Sequence, residues 1–465
     1  MKKLLLLLII SIPSMVHSQM TVTVGSTVLD VDTIYYGTGS SGAYTGNNGM
    51  DIPWEIIYGP DDHLWVTERK GLISRIDPIT KTKSIVLNLA GTVYQNSESG
   101  LLGMALHPDF ENTPEVFIAY TYGNFSNIRE RFEKYTFNGT SLVNPVVLLE
   151  DITGNTTHIG CRIHVLPDTT LLFSTGDAQN TSLPQNTGSL NGKILRLNMD
   201  GSVPVDNPIP GNYMYSYGHR NVQGIAAHPN GKIYLSEHGA STDDEFQILE
   251  MNRNYGWPNV EGFCDLAGEQ TFCAANNVME PITVWTPTVA PSDMVYYENP
   301  LIPELDGKVL MTVLKDKKLI AMGLNLDGTS MVSEVHYLTN IFGRLRDICV
   351  GPQKEIYLAT NGASWSNTNP NTHSIIVLRT QDTEGVEETT ESQIGVYPNP
   401  VGDQLTIKFS ESMVDRTYTI IDMSGRIMVK NRIQSIDTKI NASFLDDGVY
   451  QLYVSGIAGA KKFVK

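Results

Sequence analysis

The chain has 465 residues, 41% of them hydrophobic and 18% charged, and a formal net charge of −17. That length exceeds one ordinary domain unless the domain is a barrel or propeller, and the composition is that of a globular protein. The acidic balance argues against general affinity for nucleic acid or anionic lipid, so a bound anion must be met by a local cluster of Arg and Lys.

Residues 1–18 read as a signal peptide, with Lys2 and Lys3 at the start, an apolar run over 4–12 and a cleavage site at Val16-His17-Ser18. The run is shorter than the ~18 to 20 residues that span a bilayer, and no later stretch approaches that length. A buried N-terminal helix is the competing reading. No Cys follows the cleavage site to carry a lipid anchor. Residues 19–50 form an N-terminal extension.

From 51 to 380 helical periodicity is nearly absent. Short β-branched and aromatic runs punctuated by Pro, Gly, Asn and Asp mark an all-β sandwich, barrel or propeller. A repeat narrows the choice: a Pro-led turn followed by an alternating strand. It occurs at Pro60-Asp-Asp-His-Leu-Trp-Val-Thr-Glu68, at Pro108 ahead of Val116-Phe-Ile-Ala-Tyr120, and at Pro167 through Asp177. It recurs at Pro229 through Glu237, at Pro303 through Val313, and at Pro352 through Asn361. The steps between these prolines are 48, 59, 62, 74 and 49 residues, each suiting one four-stranded blade with loops inserted in the longer ones. Six units predict a six-bladed β-propeller with a ligand at one mouth of its central channel.

Residues 381–393 turn to Thr, Glu and Ser and read as a linker. From 394 to 465, Leu405-Thr-Ile-Lys-Phe409, Thr417-Tyr-Thr-Ile-Ile421 and Val449-Tyr-Gln-Leu-Tyr-Val454 alternate as strands of a small β-sandwich. The runs Val396-Tyr-Pro-Asn-Pro-Val-Gly-Asp-Gln-Leu405, Asp422-Met-Ser-Gly-Arg426 and Leu445-Asp-Asp-Gly-Val-Tyr450 resemble the type A sorting domain of the type IX secretion route. That resemblance implies the outer-membrane secretion machinery as a partner and a secreted or surface-attached product; a carbohydrate-binding module is the plainer alternative. Cys264 and Cys273, nine apart in a loop-like stretch of an exported chain, are suited to a local disulfide, whose formation the sequence leaves open, and Cys161 and Cys349 are expected to be buried thiols or a second bridge.

Three groups of residues carry chemistry. His158 opens a strand, with Arg162 four residues on and Asp177 at the far end of the hairpin; a near-neutral imidazole oriented by a carboxylate can take a proton from a hydroxyl. Within Ser236-Glu-His-Gly-Ala-Ser-Thr-Asp-Asp-Glu-Phe246, the carbonyls of Gly239 and Ala240 and the acids Asp243, Asp244 and Glu245 offer hard oxygen ligands suited to calcium, although acidic runs are often only solvated. Arg344 and Arg346 alternate with Leu345 and so share a strand face. With Arg220 and Lys315 they suit a planar polyanion, the alternative being an internal salt-bridge network.

Residues from about 52 to 378 resemble the soluble quinoprotein sugar dehydrogenases, the family of soluble glucose dehydrogenase and the aldose sugar dehydrogenases. The resemblance rests on Gly100-Leu-Leu-Gly-Met-Ala-Leu-His-Pro-Asp-Phe110, His158-x-x-x-Arg162, Asn191-Gly-Lys-Ile-Leu-Arg-Leu-Asn-Met-Asp-Gly201, Gly218-His-Arg-Asn221, Asp243-Asp-Glu245, Asn254-Tyr-Gly-Trp-Pro-Asn259, Thr288-Val-Ala-Pro-Ser292 and Arg344-x-Arg-Asp347, in the family's order. It implies pyrroloquinoline quinone (PQQ) and calcium as cofactors, a sugar as substrate and an external electron acceptor. It implies His158 as general base, Asp177 as its support and Arg220 at the reacting quinone oxygen. Glu98, Asn221, Thr288, Leu314, Lys315, Arg344 and Arg346 would contact the cofactor. The carbonyls of Gly239 and Ala240 would bind calcium, and Glu245, Tyr255 and Asp265 a second calcium ion.

Departures from the glucose enzyme fall on the sugar side: Glu98 replaces an amide, Thr157 an Asp and Thr286 a Trp, while Ala240 replaces a Pro whose carbonyl alone matters. Glucose is therefore not assumed. A non-catalytic propeller binding a glycan or protein partner is the main rival, and a calcium-dependent lactonase a weaker one. A homodimer is compatible with the sequence.

Overall fold

A computed structural model describes residues 20–36, 50–362, 373–381, 394–409, 413–414, 416–422, 426–454 and 461–465. The expected signal peptide and nearly all of the expected linker lie outside these residues. The chain divides into two compact units, 1–380 and 381–465.

In the first unit the backbone pairs into six antiparallel sheets. The first runs Pro53–Tyr58, Leu64–Glu68, Leu72–Ile76 and Lys83–Asn88, in sequence order. The next four span 101–153, 160–217, 222–285 and 291–337, each of four strands in sequence order. The first strands of successive sheets lie side by side, and Leu345–Val350 of the sixth returns to Pro53–Tyr58 of the first. The ring closes, and the architecture is a six-bladed propeller.

Each of the six Pro-led turns leads into the second strand of its blade: Leu64–Glu68, Glu115–Asn124, Thr170–Thr175, Ile233–Glu237, Lys308–Val313 and Ile356–Thr360. Alternation was expected there, yet Leu64–Glu68, Thr170–Thr175 and Ile356–Thr360 are buried at every position. Blades pack on both faces of these strands, so neither face meets water. Fully burying a large side chain such as Trp65, held edge-on to Phe110 and Phe137, contributes about 1.5–3 kcal/mol.

The sixth blade draws on both ends of the unit. Leu345–Val350, Ile356–Thr360 and Ser374–Thr380 are extended by Thr27–Tyr36 and Met20–Val24, with Val31 opposite Leu378. The expected extension over 19–50 thus contributes two propeller strands, and the blade-forming segment begins at Met20 rather than at 51. Pairing across nearly 350 residues leaves no trace in local alternation.

One irregularity recurs in every blade. The register between first and second strands slips at Pro53/Glu55, Leu101/Met104, Gly160/Ile163, Val222/Gly224, Pro291/Met294 and Leu345/Asp347. A bulge re-aims the side chain at the slip. All six fall at the start of the first strands, at or beside Trp54, Leu102, Arg162, Gln223, Asp293 and Arg346.

In the second unit, Gly395–Tyr397, Gln404–Lys408 and Asp437–Asn441 form one sheet. Ile427–Arg432, Thr417–Asp422, Val449–Val454 and Lys461–Val464 form another. Leu405, Ile407, Ile420, Leu452 and Phe463 are buried in a shared core, as a sandwich requires.

Cys264 and Cys273 are disulfide-bonded across the start of the helix Ala267–Asn276, which has no buried residue. Cys161 is a buried free thiol, whereas Cys349, expected to be buried too, is free and partly exposed. Among the described residues no helix is long and apolar enough to cross a membrane.

Candidate active site

The expected site residues sit at one end of the ring, where loops enter the first strands and leave the second. Glu98, His158, Arg220, Asn221, Thr288 and Arg344 precede or open first strands; Asp177, Gly239, Ala240, Leu314 and Lys315 follow second strands. Glu98 and Arg344, 246 positions apart, are thereby brought to one mouth.

His158 Nδ1 is 2.8 Å from Asp177 Oδ1, and its Nε2 is 3.0 Å from Arg220 Nη2. The Asp177 carboxylate also accepts the Gln179 N–H at 2.7 Å and the Trp257 indole N–H at 2.9 Å. Burial pushes the Asp177 carboxyl up, but the bonds from His158, Trp257 and Gln179 outweigh it and hold it below its ordinary value. Close approach of the two segments dictates Gly176: a Cβ there would lie 1.8 Å from the His158 carbonyl oxygen. His158 itself has φ of 59°, a left-handed conformation costing a non-glycine residue about 1 kcal/mol or more. Its backbone N–H donates to Glu98 Oε2 at 2.9 Å.

The loop carrying Arg220 and Asn221 hangs on Glu237. One Glu237 oxygen accepts the backbone N–H groups of Arg220 and of Asn221, the latter at 3.0 Å. The other meets His219 Nδ1 at 2.9 Å and Gln247 Nε2 at 2.8 Å. Asn221 Oδ1 accepts Gly160 N–H at 3.0 Å and Gln223 Nε2 at 3.1 Å. Its Nδ2 is buried without a hydrogen-bond partner, leaving a donor for a ligand acceptor.

Beside this loop lies a cavity lined by Trp54, Glu98, Gln223, Leu314, Arg344 and Arg346, among others. Burial, then the adjacent Arg344 cation, brings the Arg346 guanidinium down to about 9, so it stays charged at neutral pH. Burial lowers Arg344 as well. An anion between them would relieve both costs. Lys315 Nζ donates to Thr288 Oγ1 at 2.8 Å, joining two more of the expected cofactor contacts.

A second recess is lined by Arg220, Glu237, Gly239, Asp243, Glu245, Tyr255 and Glu261. Burial, and then Glu237, raise the Glu245 carboxyl well above its ordinary value. Asp265 lines a separate recess with Asp243, Glu261 and Glu269, and Ala240 is exposed. Gly239, Glu245 and Tyr255 therefore come together, whereas Asp265 and Ala240 stand outside that group. Asp244 is not a free oxygen ligand: it accepts Gly239 N–H at 2.9 Å and the N–H groups of Val289 and Ala290 at 2.7 Å each. It is a strut between two mouth loops.

Sequence reasoning missed Trp54, Gln223, Glu237, His238 and Trp257. Glu237, His238 and Trp257 lay inside runs already singled out, but nothing local distinguishes an indole that bonds Asp177 from one that packs. Trp54 and Gln223 are aimed by bulges, which the sequence pattern does not display.

The fold and site together define a closed six-bladed propeller with an oriented histidine beside an arginine-lined cavity. Residues 50–366 match the glucose/sorbosone dehydrogenase family model, and the chain belongs to that family. Residues 395–465 match the secretion system C-terminal sorting domain. The chain is 34% identical over 253 residues to quinoprotein glucose dehydrogenase B of Acinetobacter calcoaceticus, covering 48% of this chain and 53% of that one. It is 28% identical over 337 residues to an aldose sugar dehydrogenase of Escherichia coli, covering 68% and 88% respectively. The PQQ-bound aldose sugar dehydrogenase of Streptomyces coelicolor superposes with a TM-score of 0.62 at 30% identity, covering 75% of this chain and 97% of that one.

Proposed function

We propose that this protein is an exported, PQQ- and calcium-dependent dehydrogenase that oxidises an aldose at its anomeric carbon to the lactone. The observation that carries the reading is the His158 imidazole, held between Asp177 and Arg220 with its Nε2 lone pair exposed to donors. The quinoprotein and PQQ-bound relatives support the quinone, and Arg344 and Arg346 in the cavity wall, Lys315 next in sequence to Leu314 of that wall, and the unpartnered Asn221 Nδ2 beside Gly160 suit a planar tricarboxylate.

When bound, the quinone supplies the hydride acceptor. His158 Nε2 would take the proton of the anomeric hydroxyl, and the C1 hydrogen with its two electrons is what that acceptor would receive. The hydroxyl would displace Arg220 from Nε2, leaving the guanidinium within reach of the reacting oxygen. Asp177 holds the ring and stabilises its protonated form. The carbonyls of Gly239 and Ala240 would hold one calcium ion beside the cofactor. The recess with Glu245 and Tyr255 would hold another if Asp265 closes on it. The sorting domain and leader together imply passage across the outer membrane.

The test is dye reduction by the chain lacking residues 1–18 and 381–465, which fold as a separate unit, with PQQ, calcium and a panel of aldoses. Sugar-dependent reduction that requires both additions and is lost in His158→Ala supports the reading. If PQQ does not bind at saturating calcium, a non-catalytic propeller takes its place.

A further inference from the structure

Arg162 belongs to the His158-x-x-x-Arg162 spacing yet has no part in the chemistry above. It is 2% exposed, and its Nη1 donates to Glu55 Oε2 at 2.6 Å and to Asp347 Oδ1 at 2.8 Å. Its Nε donates to the Gln223 carbonyl at 2.8 Å and lies 3.4 Å from Asp293 Oδ1. Glu55 Oε2 also accepts the Met104 N–H at 3.5 Å. Glu55, Met104, Arg162, Gln223, Asp293 and Asp347 lie on the first strands of blades one to six. A single buried cluster thus ties the innermost strand of every blade. The carboxyl oxygens of Glu55, Asp293 and Asp347 lie within 4.8 Å of one another, with the Arg162 guanidinium set among the three.

The cluster reaches the cavity wall by three routes. Gln223 holds Arg162 through its carbonyl, while its side chain accepts Arg346 Nη1 at 3.3 Å and donates to Asn221 at 3.1 Å. Asp347 follows Arg346 directly, and its Oδ2 accepts Ile56 N–H at 2.6 Å, fastening the sixth blade to the first. The Trp54 ring is shared, with its centroid 4.4 Å from the Arg162 guanidinium and 5.8 Å from that of Arg346.

We infer that Arg162 is a positioning residue, whose buried ion-pair cluster sets where Arg346 and Gln223 stand and thereby the cavity's affinity for a polycarboxylate. The planar fork is what the place demands. Its donors reach two carboxylates and a carbonyl at fixed angles, and an ammonium of equal charge has no such directions to offer. The proposal rests on the quinone reading only for the choice of probe.

The experiment compares Arg162→Lys with the parent chain, titrating PQQ by calorimetry without sugar at a temperature where circular dichroism shows both folded. Arg196→Lys is the control, since Arg196 is itself buried and ion-paired, to the exposed carboxylates of Asp168 and Asp206, but does not line the cavity. Arg162→Lys is expected to weaken PQQ binding at least tenfold and Arg196→Lys less than twofold, whatever their thermal midpoints. Asp293→Asn, which loosens the longest of the contacts, serves if Arg162→Lys does not fold, with roughly threefold weaker binding expected. Unchanged affinity in a folded variant overturns the inference. If the parent chain itself fails to bind PQQ, the quinone reading falls, and the crystal structure of the variant decides this one: Arg346 displaced from Trp54 and Gln223 supports it, and Arg346 in place refutes it.

Discussion

Arg220 Nη2 stands 3.0 Å from His158 Nε2. A guanidinium can only donate, so Nε2 bears the lone pair and the ring proton lies on Nδ1, bonded to Asp177. That tautomer is the one the proposed proton abstraction would need. The same contact places a permanent positive charge beside Nε2, where the proposed reaction would leave an oxygen without its proton.

Asp177→Asn tests the tautomer. The amide can turn its NH2 toward Nδ1 and drive the ring proton to Nε2, occupying the lone pair. The turnover number should fall on the order of 10²- to 10⁴-fold with little change in KM, as steady-state dye reduction would show.

Arg220→Ala should depress the turnover number more than PQQ affinity, because Arg220 faces the base while Arg344 and Arg346 line the cavity. Equal losses in both would place Arg220 in the cofactor grip instead.

Lys315→Ala should raise the PQQ dissociation constant about tenfold, the weight of one charge-assisted hydrogen bond. It should also flatten the dependence of binding on salt, since one of the cations opposing the −17 field is gone. Binding titrations at two salt concentrations read both effects.

Glu55 should give stability a slope against pH. Burial, opposed by Arg162 and reinforced by Asp293, raises its carboxyl to about 8 from an ordinary 4.5. Between these values the native state keeps a proton that the unfolded chain has released, so stability falls as pH rises through that window. Glu55→Gln keeps an acceptor for Arg162 but cannot titrate, and the slope should shrink in urea unfolding between pH 5 and 8. An unaltered slope would assign the proton to Asp293 or Asp347.

Cys264→Ser should act locally. The bridge closes a short loop around a helix with no buried residue, so its loss frees that segment without opening a blade. Protease cleavage within 261–280 should quicken while the thermal midpoint of the propeller stays within a few degrees.

The blade count, the mouth, the cations Arg344, Arg346 and Lys315 and the His158–Asp177 pairing were legible along the chain. Each is written as local spacing: a Pro-led turn per blade, two arginines with one residue between them, a base and an acid at the ends of one hairpin. Period-two and turn chemistry act over a few residues, so a sequence displays them directly. The tertiary structure alone decided that Met20–Val24 and Thr27–Tyr36 complete the last blade, that Asp244 braces loops instead of offering free oxygens, and that Arg162 meets three acids from three other blades. Those facts depend on which distant strands become neighbours and on six register slips that turn side chains toward the channel. Ring closure imposes both, because hydrogen-bond partners hundreds of residues apart are chosen by packing geometry, and no local pattern encodes that choice.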